Sequence, residues 1–131
     1  MDRIRIFLFS RIQAFRHALR GLCYVIHTQR NAWIHAVVTI VVAILAFWLG
    51  SPIRDWAILL LTIALVWTAE FINTALEAVV DLASPQNHPL AKVGKDVGAA
   101  AVLIAALTSI LVGLLILGPP LWDKLKVHFG L

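Results

Sequence analysis

The sequence predicts an all-α membrane protein, with an N-terminal amphipathic surface helix followed by three transmembrane helices. Hydrophobic residues make up 61% of the 131 positions, against about 45–50% in soluble domains, and the mean hydropathy is +0.90. Three long apolar runs alternate with short breaks rich in Gly and Pro, and a helical crossing needs ~20 apolar residues. Trp33, Trp48, Trp56 and Trp122 stand at the ends of these runs, where interfacial aromatic residues collect.

Residues 4–26 carry Leu8, Ile12, Phe15, Leu19, Leu22 and Ile26 at alternating spacings of four and three, one stripe of a helix. Gln13, Arg16, His17 and Arg20 fall on other faces. Such a helix lies along the headgroup region. After the polar stretch His27 to Asn31, Trp33 to Leu49 forms the first crossing, ended by Gly50-Ser51-Pro52. A second run begins at Trp56 and keeps its helical pattern to Leu82. Ser84-Pro85-Gln86-Asn87-His88-Pro89 reads as a loop, with Pro89 suited to a first helical turn. The third membrane helix occupies 90–117, its apolar core Val97 to Leu117, and Gly118-Pro119-Pro120 is expected to stop it. The chain reads as one domain over 1–131, without a signal peptide, internal repeat or low-complexity segment. Cys23 is the only cysteine, which excludes an intramolecular disulfide and a cysteine-based metal cluster.

The formal charge is +4. Six arginines lie within the first 30 residues beside apolar runs, a pattern for an anionic membrane surface and not for nucleic acid. Those six with Lys92 and Lys95 outnumber Arg54, Lys124 and Lys126 on the other side. The excess of basic residues therefore puts the N-terminus and the 82–96 segment in the cytoplasm and the C-terminus outside.

The chemistry is concentrated in Glu70-Phe-Ile-Asn-Thr-Ala-Leu-Glu-Ala-Val-Val-Asp81. At about 100° per residue, Glu70, Asn73, Thr74, Glu77 and Asp81 share one helix face. A carboxylate deep in a bilayer costs ~2.5–3.5 kcal/mol on insertion scales, so such a stripe needs partners. Mg²⁺ is one candidate, since it takes one or two carboxylates together with phosphate oxygens. The other is the set Lys92, Lys95 and Asp96, which share a face near the start of the last helix. Carboxylates and a lysine at one interface suit phosphoryl transfer, which needs a base on the attacking hydroxyl, a metal on the phosphates and a cation on the transferring charge. A purely structural network of Glu70, Glu77 and Lys95 is the alternative. His35, with no second histidine at metal spacing, reads as a packed polar contact. Gly94-Lys95-Asp96 lacks the remaining parts of a phosphate-binding loop. Gly94, Gly98 and Ala99 to Ala101 give the last helix a small-sided face for close packing.

The stripe, with His88 to Ile104, Arg30-Asn-Ala-Trp-Ile-His35 and Ala18-Leu-Arg-Gly21, resembles the bacterial integral-membrane diacylglycerol kinase / undecaprenol kinase family over about residues 14–117. The segments 30–35 and 88–95 look more like the undecaprenol kinase branch. The resemblance implies an ATP- and Mg²⁺-dependent kinase of a membrane lipid alcohol, undecaprenol or diacylglycerol. It also implies a homotrimer with shared active sites in the bacterial cytoplasmic membrane. Carried over by motif, Glu70 is the general base and substrate contact, Asn73 orders the site, and Glu77 binds Mg²⁺. Lys95, Asp96, Gln86, Asn87 and His88 hold the nucleotide, while Asn31, Ala32, Trp33, Ile34, His35 and Ala99 contact the lipid.

Two positions depart from the family pattern. Gln29 stands where a metal-binding Glu is common, so its neutral carbonyl would replace a carboxylate. His17 stands where a Tyr is usual at the nucleotide site. Two other readings remain open on sequence: a small oligomeric transporter coupling protons or cations through Glu70 and Glu77, and a catalytically degenerate relative.

Overall fold

A computed structural model describes residues 2–84 and 88–130. The described residues form helices α1 (Asp2–Thr28), α2 (Arg30–Leu49), α3 (Ile53–Ala83) and α4 (Pro89–Phe129). The last three are each long and apolar enough to cross a membrane, with mean hydropathies of 2.3, 1.7 and 2.8 over their most apolar stretches.

The boundaries follow local chemistry. One extended residue, Gln29 (φ −100°, ψ 119°), separates α1 from α2. Gly50 closes α2 in the left-handed region at φ 70°. There its N–H donates to the Phe47 carbonyl at 3.1 Å and the Ser51 N–H donates to the Ala46 carbonyl at 3.0 Å. Only glycine takes this conformation without a Cβ penalty. Pro52 then caps α3, and Asp55 in its first turn complements the positive end of the helix dipole. At the start of α4, the Leu90 N–H donates to His88 Nδ1 at 3.2 Å, and Pro89 fills the first turn, where a missing N–H costs nothing.

Helices α3 and α4 form the most extensive pairing, with α2 packed more lightly against both. Ala46, Leu59 and Leu117 are buried together, flanked by Val42, Leu45, Trp56 and Ile116. This apolar cluster ties the three helices at the end nearest the α2–α3 turn. Helix α1 touches α2 and α3, with Val25 buried, while Ile4, Phe7, Leu8, Phe9, Ile12 and Phe15 are each more than half exposed.

One expectation is corrected. The last membrane helix does not stop at Gly118 but runs through Pro119 and Pro120 to Phe129. Each proline removes an N–H, so the Leu115 and Ile116 carbonyls lose their usual donors four residues on. Yet proline's fixed φ near −65° is itself helical, and a helical segment tolerates it in its first turn. The extension is held by a long-range contact: Lys124 Nζ donates to the Trp48 carbonyl at 2.6 Å and lies 4.3 Å from the centroid of the Trp48 ring. At 1.5 Å per residue α4 is about 60 Å long, roughly twice the bilayer core, so it projects beyond the apolar layer.

Replacing Lys124 with Met should remove both contacts and cost about 1 kcal/mol, read as a lower unfolding midpoint in detergent micelles. An unchanged midpoint would mean that the extension is not anchored through Trp48.

Candidate functional site

The middle and last turns of α3 carry the polar stripe, and the neighbouring helices close over its first half. Glu70 is only 1% exposed, and Asn73 and Thr74 are also buried. Glu77 is half-buried and Asp81 exposed, so solvent exposure rises along the stripe. Internal bonds set its geometry. Thr74 Oγ1 donates to the Glu70 carbonyl at 2.9 Å, one turn back. Asn73 Nδ2 donates to Glu77 Oε1 at 3.1 Å, orienting that carboxylate.

Helix α2 contributes His35, whose Nε2 lies 3.8 Å from Glu70 Oε2. Among the described residues, neither atom has a hydrogen-bond partner, and neither does the buried Asn73 Oδ1. Buried polar atoms are nearly always satisfied; here the unpaired His35 and Glu70 atoms face each other across α2 and α3, and Asn73 Oδ1 lies against Gly98 of α4. The imidazole meets Trp67 edge-on (centroids 6.3 Å apart, planes at 67°), and Trp67 Nε1 donates to Thr39 Oγ1 at 3.2 Å. Beyond His35, a cavity of about 360 Å³ opens between α2, α3 and α4, lined by residues such as Ile34, Val38, Val66, Trp67 and Leu114. Its walls are almost wholly apolar.

Helix α4 contributes Gly98. A Cβ built there would overlap Asn73 Oδ1 and stand 3.1 Å from Leu76 Cδ2, so only glycine allows this approach. One turn nearer the helix start, Lys95 Nζ lies 2.5 Å from Asp81 Oδ1. These two with Ser84, His88, Lys92 and Asp96 line a second cavity of about 490 Å³, beside the α3–α4 connection. The sequence leaves open whether Lys95 meets Glu70 and Glu77; it meets Asp81, the most exposed acid of the stripe.

Of the other residues singled out by sequence, Ala32 is buried, Asn31, Trp33 and Ile34 are exposed on the first turns of α2, and Gln29 is half-buried at the α1–α2 joint. Ala99 is exposed, while its neighbour Gly98 makes the contact with α3. His17 is exposed on α1. Gln86 and Asn87 lie outside the described residues. Sequence alone does not reveal Asp81 as the partner of Lys95 or Trp67 as the brace of His35, because both contacts join separate helices. Helical spacing marks only Asp81, as a member of the stripe.

No group of three or more His, Cys, Asp or Glu gathers as a metal cage among the described residues. What exists is one oriented carboxylate, Glu77, held by the Asn73 amide. A single carboxylate fits Mg²⁺ arriving on phosphates, which needs one or two carboxylates and fills its octahedron with phosphate and water oxygens.

The family model described as Prokaryotic diacylglycerol kinase matches residues 16–117. The undecaprenol kinase of Bacillus subtilis is 40% identical over 109 residues, covering 83% of this chain and 89% of that protein. The diacylglycerol kinase of Synechocystis is 45% identical over 109 residues, 82% of this chain and 62% of the relative. The diacylglycerol kinase of Escherichia coli is 32% identical over 130 residues, covering 93% and 94%.

Substituting Gly98 with Ala should push α4 from α3 at Asn73 and destabilise the protein by roughly 1–3 kcal/mol, the usual cost of overpacking. Thermal unfolding in detergent tests this; wild-type melting would show that the helices can part there freely.

Proposed function

The chain belongs to the prokaryotic diacylglycerol kinase family, and on that premise we propose that Glu70 is the base of a membrane lipid kinase that phosphorylates an undecaprenol- or diacylglycerol-type alcohol from ATP. One observation carries the reading: the buried Glu70 carboxylate faces His35, which lines an apolar cavity between α2, α3 and α4, while the same helix runs on to a lysine-lined cavity. A lipid alcohol and a nucleotide need opposite environments, and this helix borders both. A proton- or cation-coupled transporter would instead need its acids accessible from both sides. Here the acids run toward one end of α3, and Lys95 belongs to that same end.

In this assignment the substrates are ordered along α3. The alcohol lies at Glu70, the phosphates run from Asn73, about 4.5 Å further along the helix, to Glu77 at about 10 Å, and the rest of the nucleotide lies near Asp81, Lys95, Asp96 and His88, with Gln86, Asn87 and His17 as further contacts. Glu77 and Gln29 would hold Mg²⁺, which neutralises phosphate charge when bound. Asn73 keeps the Glu77 carboxylate turned toward that position. Glu70 accepts the proton of the lipid hydroxyl as its oxygen attacks the terminal phosphorus. Lys95 exchanges Asp81 for phosphate oxygen, a change that costs little for an exposed ion pair. Asn31 to His35 and Ala99 border the lipid.

We further infer the setting. Helix α1, with arginines among exposed apolar side chains, lies on the cytoplasmic face of a bacterial inner membrane. The C-terminus is outside, and the whole chain acts as one domain in a homotrimer with shared sites.

Transfer of labelled phosphate from ATP, assayed in mixed micelles offering undecaprenol and diacylglycerol separately, tests the activity and chooses the lipid; labelling of neither would sink it. Glu70→Gln should lower kcat by about 10²- to 10⁴-fold while leaving MgATP binding intact, and near-normal turnover would remove Glu70 as the base. Gln29→Glu should raise apparent Mg²⁺ affinity by adding a charged oxygen ligand. A flat response in a metal titration would place Gln29 away from the ion.

A further inference from the structure

We propose that helix α1 makes turnover depend on the negative charge of the membrane surface, by docking its arginines on anionic lipid headgroups and so holding Gln29 and His17 at the nucleotide and metal site. This rests on the lipid-kinase reading and adds regulation to its site. The partner is an anionic bilayer, and the reaction's own product supplies part of the charge.

The helix is built for a partner that the chain does not provide. Among its described side chains only Val25 is buried, and Ile4, Phe7, Leu8, Ile12 and Phe15 are each more than half exposed. It carries five arginines against one acid, Asp2, a net charge of +4. Among the described residues none of these arginines forms an ion pair within the protein. Arg3, Arg5 and Arg11 also precede residue 16, where the family match begins.

Charge and apolar surface are arranged for one geometry. At about 100° per residue, Arg5 and Arg16 border the apolar stripe from Ile4 to Leu22 on one side. Arg11 borders it on the other, with Arg3 and Arg20 further round. The Arg11 guanidinium lies 5.2 Å from the centroid of the Phe7 ring, so its stem follows apolar surface while its charge sits at the edge. A helix lying in a bilayer surface places such arginines level with the headgroup phosphates. A second copy is a poorer partner for this face, since two such helices bring like charges together. Each basic residue near an anionic leaflet strengthens attachment about fivefold, and a neutral surface offers the apolar half alone.

The coupling to the site runs through the joint. Helix α1 passes into α2 through the single extended residue Gln29, whose N–H donates to the Val25 carbonyl at 2.9 Å. With one residue between two helices, the direction of α1 sets the position of Gln29, and His17 rides on the same helix. The reaction converts an uncharged alcohol into a phosphate monoester. A membrane in which product accumulates therefore holds α1 more firmly, and turnover reinforces itself.

Full-length protein reconstituted in vesicles gives the test, in neutral phosphatidylcholine alone or with a third of it replaced by anionic phosphatidylglycerol, at one surface fraction of lipid alcohol. The wild-type kcat/KM for MgATP should be at least ~5-fold higher on the anionic vesicles. A negative surface by itself repels the nucleotide, so an increase comes from the protein. About 1 M salt, which shortens the reach of charge to ~3 Å, should remove most of the difference. A variant with Arg3, Arg5 and Arg11 all replaced by Gln should show no increase. An environment-sensitive dye on Ile12→Cys, in a Cys23→Ser background, reads docking without catalysis, and its emission should shift to the blue on anionic vesicles only. Equal kcat/KM on the two membranes, a dye indifferent to charge, or a triple-arginine variant that responds as wild type does would each overturn the proposal. If no lipid alcohol is phosphorylated on either membrane, the kinase reading has failed and this proposal falls with it. An active enzyme blind to surface charge sinks this proposal alone.

Discussion

Burying one carboxylate inside an apolar helical bundle is the constraint around which this structure is arranged. Glu70 is 1% exposed in a helix apolar enough to cross a membrane, and an ionisable side chain held in such a segment carries a cost of ~2.5–3.5 kcal/mol at mid-bilayer on insertion scales. The neighbouring helices answer that cost. Helix α2 turns a polar imidazole toward it, and α4 comes in so closely one turn later that a single added carbon at Gly98 would collide with Asn73. Gly98 is thus what allows α4 to cover the polar edge of α3 so closely, since a larger side chain there would hold the α4 backbone away.

The bundle consequently has two unlike ends. Near the α2–α3 turn, Ala46, Leu59 and Leu117 make a dry three-helix contact, and the left-handed Gly50 lets the chain reverse tightly beside it. Toward the α3–α4 connection the helices enclose polar atoms and open into a charged cavity. Apolar packing dominates the first end, while the second carries the unsatisfied groups. The cation of Lys124 on Trp48 adds a polar clasp to the packed end, outside the apolar layer.

Much of this was legible in the residues. Apolar run length gave the three membrane helices, and the 3.6-residue period gave α1 and the shared face of Glu70, Asn73, Glu77 and Asp81, because both signals are local. The continuation of α4 through Pro119 and Pro120 was not legible. Proline is read as a stop from its lost hydrogen bond, whereas the helix beyond Pro120 meets α2 through Lys124 and Trp48, 76 residues apart in sequence. The site was legible as a list and not as a set of pairs. Nothing in spacing says that His35 faces Glu70, that Trp67 braces it, or that Lys95 chooses Asp81 over Glu77. Nor does spacing single out Gly98, among the small residues of α4, as the one in close contact with α3.

The two polar pairs of the site differ in a way that bears on how a bisubstrate reaction could run here. Lys95 and Asp81 are in contact, and their side chains are 39% and 65% exposed, so water can replace either partner and little free energy is lost when the pair opens. His35 and Glu70 are buried and not in contact, so water from bulk reaches them poorly, and any group that satisfies both must fit between them. A pair of the first kind suits a charged ligand that comes and goes from solution, since the lysine always has somewhere to rest. A pair of the second kind suits a polar group that enters from the apolar side, because the penalty of leaving both atoms unbonded is relieved when such a group bonds them. Exchange at one end and pre-set geometry at the other follow from burial alone, and both lie along the single helix α3.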